Sequence, residues 1–125
     1  MNLLWVALGG AIGSAARYGV NISAPRMLGG DFPWATLIVN VLGCFLMGAI
    51  TAYLRAKMPD DENLRLFLTT GILGGFTTFS AFSLDVALMI ERRAYGHAAV
   101  YSLASVVVSV AALFAGLMLM RRIFA

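Results

Sequence analysis

Charge is scarce in this chain. Of its 125 residues, 12% are Asp, Glu, Lys or Arg and 61% are hydrophobic, and the mean hydropathy is +0.88. A soluble domain of this size carries roughly twice that charged fraction. The apolar residues also run in long blocks rather than amphipathic stripes, so the chain reads as an integral membrane protein. Cysteine is nearly absent: Cys44 stands alone inside an apolar block, which rules out an intrachain disulfide. Its ordinary reading is a small, buried packing residue. No Lys or Arg precedes Arg17, so the N-terminal block lacks the basic start of a cleaved signal peptide and reads as a retained first span.

Titratable groups are missing where a coupled transporter needs them. No His or Lys occupies mid-membrane, and no Glu lies in the first, second or fourth apolar block. Proton-coupled pumps and exchangers usually show such a relay. There is no metal-ligand cluster, nucleophile–base pair or phosphate loop either, so nothing points to catalysis. The net charge of +3 comes from basic residues at the ends of apolar blocks, which argues for membrane anchoring and against nucleic-acid binding.

What is present fits an all-α membrane domain, 1–125, of four transmembrane helices. A span needs roughly 20 apolar residues, and four can be drawn at about 3–20, 34–53, 64–90 and 98–120. "SAPRMLGGDFP" reads as a loop, with a restart at Trp34. "RAKMPDDEN" ends one helix and caps the next through Asp60 and Asp61. "ERRAYGH" reads as a short connection containing Gly96. Four spans place both termini on one side, with Arg55, Lys57, Arg65, Arg121 and Arg122. Arg17, Arg26, Arg92 and Arg93 fall toward the other. Five against four is almost no bias, and the excess of Lys and Arg is what orients a membrane protein. Insertion in both orientations is the physical expectation, and its simplest assembly is an antiparallel, isologous homodimer. Gly9 with Gly13, and Gly71 with Gly75, form GxxxG pairs that mark where helices touch closely.

Several polar residues sit where lipid tolerates them poorly. Asn40 lies near the middle of the second span, where it is either interhelical glue worth about 1 kcal/mol or a group facing an ion path. Its NH₂ offers two donors, which is what an anion needs. Thr36 shares its face. On the fourth span, Tyr101, Ser105 and Ser109 recur at i, i+4 and i+8, a stripe of hydroxyls that either bond back to their own helix or line a path. Arg17 reads as an interfacial anchor with a snorkelling stem. Asp85 receives no role.

The run "GGFTTFSAFS" at residues 74–83 is poorly made for a plain span. Adjacent Gly74 and Gly75 followed by Thr77 and Thr78 interrupt a helix, and such backbone is tolerated at membrane depth only inside protein or beside water. A break exposes carbonyl oxygens for a hard cation and N–H groups for an anion. Phe79 and Phe82 then share one face, where they either pack or turn their electropositive ring edges toward a small anion.

Together with "GGAIGSAARY" at residues 9–18 and "ATLIVNVLGCFLMG" at residues 35–48, this run resembles the bacterial fluoride-specific ion channels called Fluc or CrcB. The resemblance covers the whole chain. It implies an antiparallel dual-topology homodimer in the bacterial inner membrane, with a third helix broken near its middle and two fluoride pores. On that pattern Asn40 faces the permeating ion and Phe79 and Phe82 form the aromatic box, each pore drawing on both copies. Tyr101, Ser105 and Ser109 form a hydroxyl track, joined by Thr36, and Ser80 and Ser83 belong to the pore as well. The carbonyls of Gly74 and Thr77 hold a structural Na⁺ on the two-fold axis, and Arg17 is structural. The rival readings are a small multidrug-type dual-topology antiporter and a non-transporting helical subunit. The first needs an acidic residue deep in "LLWVALGGAIGSAARYGV", which has none.

Overall fold

The computed structural model describes residues 2–29 and 32–124. Helix α1 runs Asn2–Leu28 and α2 runs Trp34–Lys57. The third apolar stretch is divided into α3 (Glu62–Arg65), a π-helical segment (Leu66–Leu73), α4 (Gly74–Phe76) and α5 (Phe79–Glu91). Helix α6 runs Tyr95–Phe124. Four stretches are long and apolar enough to cross a membrane: Asn2–Leu28, Trp34–Lys57, Glu62–Glu91 and Tyr95–Phe124. At 1.5 Å per residue, the 27 residues of α1 reach about 40 Å, longer than the roughly 30 Å of bilayer hydrocarbon. The helices therefore project past the core or tilt within it.

Two connections are shorter than the sequence suggests. The stretch "SAPRMLGGDFP" is not a loop from its start, because α1 continues through Pro25 to Leu28. Pro25 cannot donate to Asn21 O, so α1 runs its last turns with one ladder bond missing. The helix stops at Gly29, whose φ of +90° suits glycine alone, and its N–H caps Pro25 O at 3.0 Å. Likewise "ERRAYGH" yields its last three residues to α6, leaving Arg92, Arg93 and Ala94 as the turn. Of the two capping candidates, Asp61 is the cap: its side chain accepts from the Leu64 N–H at 3.0 Å.

The glycine pairs meet each other. A Cβ on Gly9 would strike Phe67 O and the Cα of Gly71, and one on Gly13 would strike Ile72 O and the Phe76 N. Helix α1 thus lies backbone to backbone on the first half of the third span. The second close crossing joins α2 to α6, where Gly48 abuts Leu113 O and Gly116 abuts Phe45 O. Asn2 Nδ2 donates to Glu62 Oε1 at 3.3 Å, and the Tyr53 and Phe124 rings meet edge to face at 5.1 Å. Both chain ends therefore share one end of the bundle with the α2–α3 turn, as an even number of spans requires.

Little of the apolar surface is covered by the chain itself. Only 11% to 28% of the most apolar window of each span is buried. The rest faces lipid or another molecule.

Candidate functional site

The site grows from a lapse of helix geometry. Thr77 (φ −84°, ψ 158°) and Thr78 (φ −152°, ψ 122°) are extended, between the last turn of α4 and the first of α5. Extended backbone inside a span leaves polar groups without helical partners, and each unmet group costs several kcal/mol in hydrocarbon. Asn40 on α2 meets two of them. Its Oδ1 accepts the Thr78 N–H at 2.8 Å, and its Nδ2 donates to Thr78 O at 3.0 Å. The side-chain amide stands in for a neighbouring strand, and the pairing leaves one amide hydrogen unspent. Room for this approach comes from Gly43, whose missing Cβ leaves space filled by the Thr77 methyl.

Three further bonds finish the junction. Thr78 Oγ1 caps α5 by accepting the Ala81 N–H at 3.1 Å. Thr77 Oγ1 donates to Leu73 O at 2.9 Å. The Arg17 guanidinium crosses from α1 to donate through Nε to Gly75 O at 3.0 Å. Arg17 thus reaches into the bundle from α1, meeting a carbonyl at the end of α4.

Two carbonyls lose their usual partners in the process. The amide that closes a helical bond to Gly74 O belongs to Thr78 and goes to Asn40. The amide that closes one to Thr77 O belongs to Ala81 and goes to Thr78 Oγ1. Gly74 is also exposed on the surface of the single chain. Neutral oxygens of this kind are the donors that a hard cation such as Na⁺ takes.

Beside the junction lies a groove of about 300 Å³, lined by Asn40, Cys44, Thr77, Thr78, Phe79, Phe82, Ser105, Val106, Ser109 and Val110. Two buried serines lie among its mostly apolar lining. Ser105 and Ser109 are only 6% and 8% exposed, yet neither Oγ has a hydrogen-bond partner. A buried hydroxyl left unmet costs about 1–3 kcal/mol, so these two are poised for something the chain itself does not supply. Phe79 and Phe82 form the far wall, with ring centroids 5.7 Å apart at 48°, and Phe79 is 77% exposed. The groove is open on that side.

Of the residues singled out in the sequence, the fold gathers Asn40, Phe79, Phe82, Ser105, Ser109 and Thr77 onto this groove. Tyr101 and Thr36 are buried further along the same line. The Tyr101 ring lies tilted against Phe82 at 5.2 Å and edge to face with Phe32 at 5.4 Å, while its hydroxyl donates to Asp85 Oδ2 at 2.9 Å. Asp85 gains a partner there, facing a second cavity lined by Phe32, Trp34 and Arg92. Ser80 and Ser83 are exposed and do not line the groove; Ser80 Oγ lies 3.3 Å from Thr78 Oγ1. Gly74 borders a different cavity, with Arg55 and Arg65. Two groove groups were missed: the main chain of Thr78, which only tertiary contact reveals, and Cys44. The latter had a readable signal, since Thr36, Asn40 and Cys44 recur at i, i+4 and i+8 and so mirror the stripe on α6.

These features define a multi-pass helical membrane protein with an uncharged groove beside interrupted backbone. Residues 4–117 match the family described as CrcB-like protein, Camphor Resistance (CrcB), and the chain belongs to that family. A protein named fluoride-specific ion channel FluC from Caulobacter vibrioides (strain NA1000 / CB15N) is 53% identical over 125 residues, covering 99% of this chain and 98% of the relative. Proteins of the same name from Agrobacterium fabrum and Phenylobacterium zucineum are 52% and 56% identical over 124 residues. The shares covered are 99% of each chain for the first and 98% of each for the second.

Proposed function

We propose that this chain is the subunit of a fluoride-specific ion channel that lets cytoplasmic fluoride leave a bacterial cell across its inner membrane. One observation carries the reading: two buried serine hydroxyls with no partner face a groove that also presents an asparagine amide and two phenylalanine rings. The near full-length likeness to proteins named fluoride-specific channels supports it. Fluoride is small and tightly hydrated, so a narrow path must replace its water with donors. The hydroxyls of Ser105 and Ser109, the remaining Asn40 N–H and the positive ring edges of Phe79 and Phe82 do this without a fixed charge that would hold the ion. Thr36 and Tyr101 extend the hydroxyl stripe behind them.

The groove is half of a pore. An antiparallel homodimer closes its open side, brings the exposed Phe79 of one copy against the other, and yields two pores related by the two-fold axis. Ser80 and Ser83, turned away from their own groove, contribute from this outer face of α5. The near balance of basic residues between the two ends supports dual insertion, and the apolar surface left bare by each chain supports pairing. Sodium held by the Gly74 and Thr77 carbonyls of both copies would supply positive charge at the junction of the two interrupted spans.

Transport is passive and no catalysis is involved. An inside-negative potential is worth about 2.3 kcal/mol per charge per 100 mV, enough to expel an anion without coupling. An exchanger of cations for protons needs a buried acid on its first span, and α1 carries none. Purified protein in vesicles, loaded with fluoride or with chloride, tests the reading: valinomycin-triggered release of fluoride alone is expected. Sealed vesicles, or equal chloride release, would overturn it.

A further inference from the structure

Arg55 and Arg65 line one cavity from two different helices. Arg55 stands in the last turn of α2 and Arg65 in the last turn of α3, at the end of the bundle that carries both chain termini. The cavity holds about 460 Å³, more than the groove, and reaches inward to Gly74 at the interrupted span. Thr51 and Thr70 give it hydroxyls, while Met47 and Leu54 give it apolar surface. Among the described residues no carboxylate lines it. Of the acids in the neighbouring turn, Asp61 accepts the Leu64 N–H and Glu62 accepts from Asn2 Nδ2. Arginines at span ends ordinarily anchor a helix by snorkelling to the membrane surface. Two of them on one hydroxyl-bearing cavity, with no acid in its wall to neutralise them, are the donor set of an oxyanion.

We propose that this cavity binds a phosphate ester, with the phosphate between Arg55 and Arg65 and its apolar body along Met47 and Leu54. A guanidinium presents paired donors that match two phosphate oxygens, and the Thr51 and Thr70 hydroxyls supply neutral donors beside it. Size decides against a bare halide. The volume falls in the range of roughly 300–1,000 Å³ that holds organic ligands, far beyond the needs of one ion. A basic pocket between spans, at the level where α2 ends, suits the phosphate of a lipid headgroup. A soluble phosphate monoester offers the same chemistry. The site is separate from the groove and does not depend on what the groove conducts.

Purified protein in detergent, stripped of lipid, tests the proposal by native mass spectrometry and thermal unfolding. Dioleoyl phosphatidylglycerol should add to the chain and raise the unfolding midpoint. Dioleoyl glycerol, which lacks the phosphate, should do neither. Arg55→Gln combined with Arg65→Gln should weaken phosphatidylglycerol binding about tenfold or more. Lys57→Gln combined with Arg122→Gln removes equal charge from the same end but outside the cavity, and should leave binding nearly unchanged. If the first double variant fails to assemble, Arg65→Gln alone, at an exposed position, carries the comparison. A midpoint raised by glycerol phosphate in the native protein and not in the arginine variant, with no lipid adduct, upholds the site and assigns it to soluble esters. Equal uptake of phosphatidylglycerol and dioleoyl glycerol overturns the proposal, since the cavity then reads only the acyl chains. Equal losses in the two charge variants overturn it as well, as does the absence of any response to either phosphate ester.

Discussion

The third span contains two halves that do opposite things with similar composition. Before Thr77, the chain is gripped: Gly71 and Leu73 are buried in the π-helical segment, Phe76 is buried in α4, and the backbone lies against α1 through Gly9 and Gly13. After Thr78, only Met89 is buried, and Phe79 and Leu84 stand largely exposed. The first half is held by main-chain contact along its length. The second is held by Asn40 on Thr78 at its start, by Tyr101 on Asp85 midway, and by a small cluster in which Met89, Phe82 and Val86 pack with Tyr101 and Ala98. A membrane helix gripped along one side is scaffold. One covered less, with the Phe79 ring bare, leaves a face open to lipid or to another molecule.

The contrast breaks most sharply at Asn40. Asn40→Asp replaces the donor with a carboxylate that faces Thr78 O, and it removes the groove's amide hydrogen. Losing a hydrogen bond to a charged group costs about 1.5–3 kcal/mol, so fluoride release should fall roughly tenfold to more than a hundredfold in a vesicle assay; wild-type rates would take Asn40 out of the path. Gly13→Val attacks the gripped half by driving a branched side chain into Ile72 O and the Phe76 N. Overpacking of this kind costs about 1–3 kcal/mol or more, and thermal unfolding in detergent should shift down accordingly. An unchanged midpoint would mean that the close crossing is not a determinant of stability.

Phe82→Ile keeps bulk but deletes the ring edge. Release should drop about tenfold, the size of one lost aromatic contact of roughly 1 kcal/mol or slightly more, while size-exclusion chromatography still shows the assembled species. Equal throughput would return Phe82 to packing against Tyr101. The smallest effect sharpens the comparison. Ser109→Ala removes a hydroxyl that has no partner, so stability should hold or rise by up to about 1 kcal/mol while fluoride release falls severalfold. A loss of stability instead would mean that the hydroxyl serves the fold.

Much of this arrangement could be read from residue order, because lipid is a strict solvent. Twenty apolar residues in a row have few alternatives to a helix, and glycine pairs at four-residue spacing mark where two backbones touch. The i, i+4, i+8 stripe of Tyr101, Ser105 and Ser109 on α6 was equally plain, and the fold sets its two serines beside Asn40 on one groove. The helix ends were harder. Residues 23–28 carry a proline, yet they extend α1 to Leu28 with one ladder bond missing, and Gly29 supplies the stop. The π-helical turns before Gly74 left no pattern in the sequence. Part of their cause is the Thr69 hydroxyl, which donates back to Arg65 O at 2.6 Å and competes with the regular ladder.

By itself, then, the sequence determined the solvent of this protein, the number of its spans and the faces on which hydroxyls, amide and rings lie, since each follows from local periodicity and from the cost of polar groups in oil. Tertiary structure alone decided which of those polar groups remain free. Asn40 spends most of its amide on Thr78, Arg17 donates to Gly75 O, Tyr101 donates its hydroxyl hydrogen bond to Asp85, and the buried hydroxyls of Ser105 and Ser109 find no partner. The reason is that hydrogen bonds between spans depend on the distance and angle at which backbones cross, which no single helix encodes.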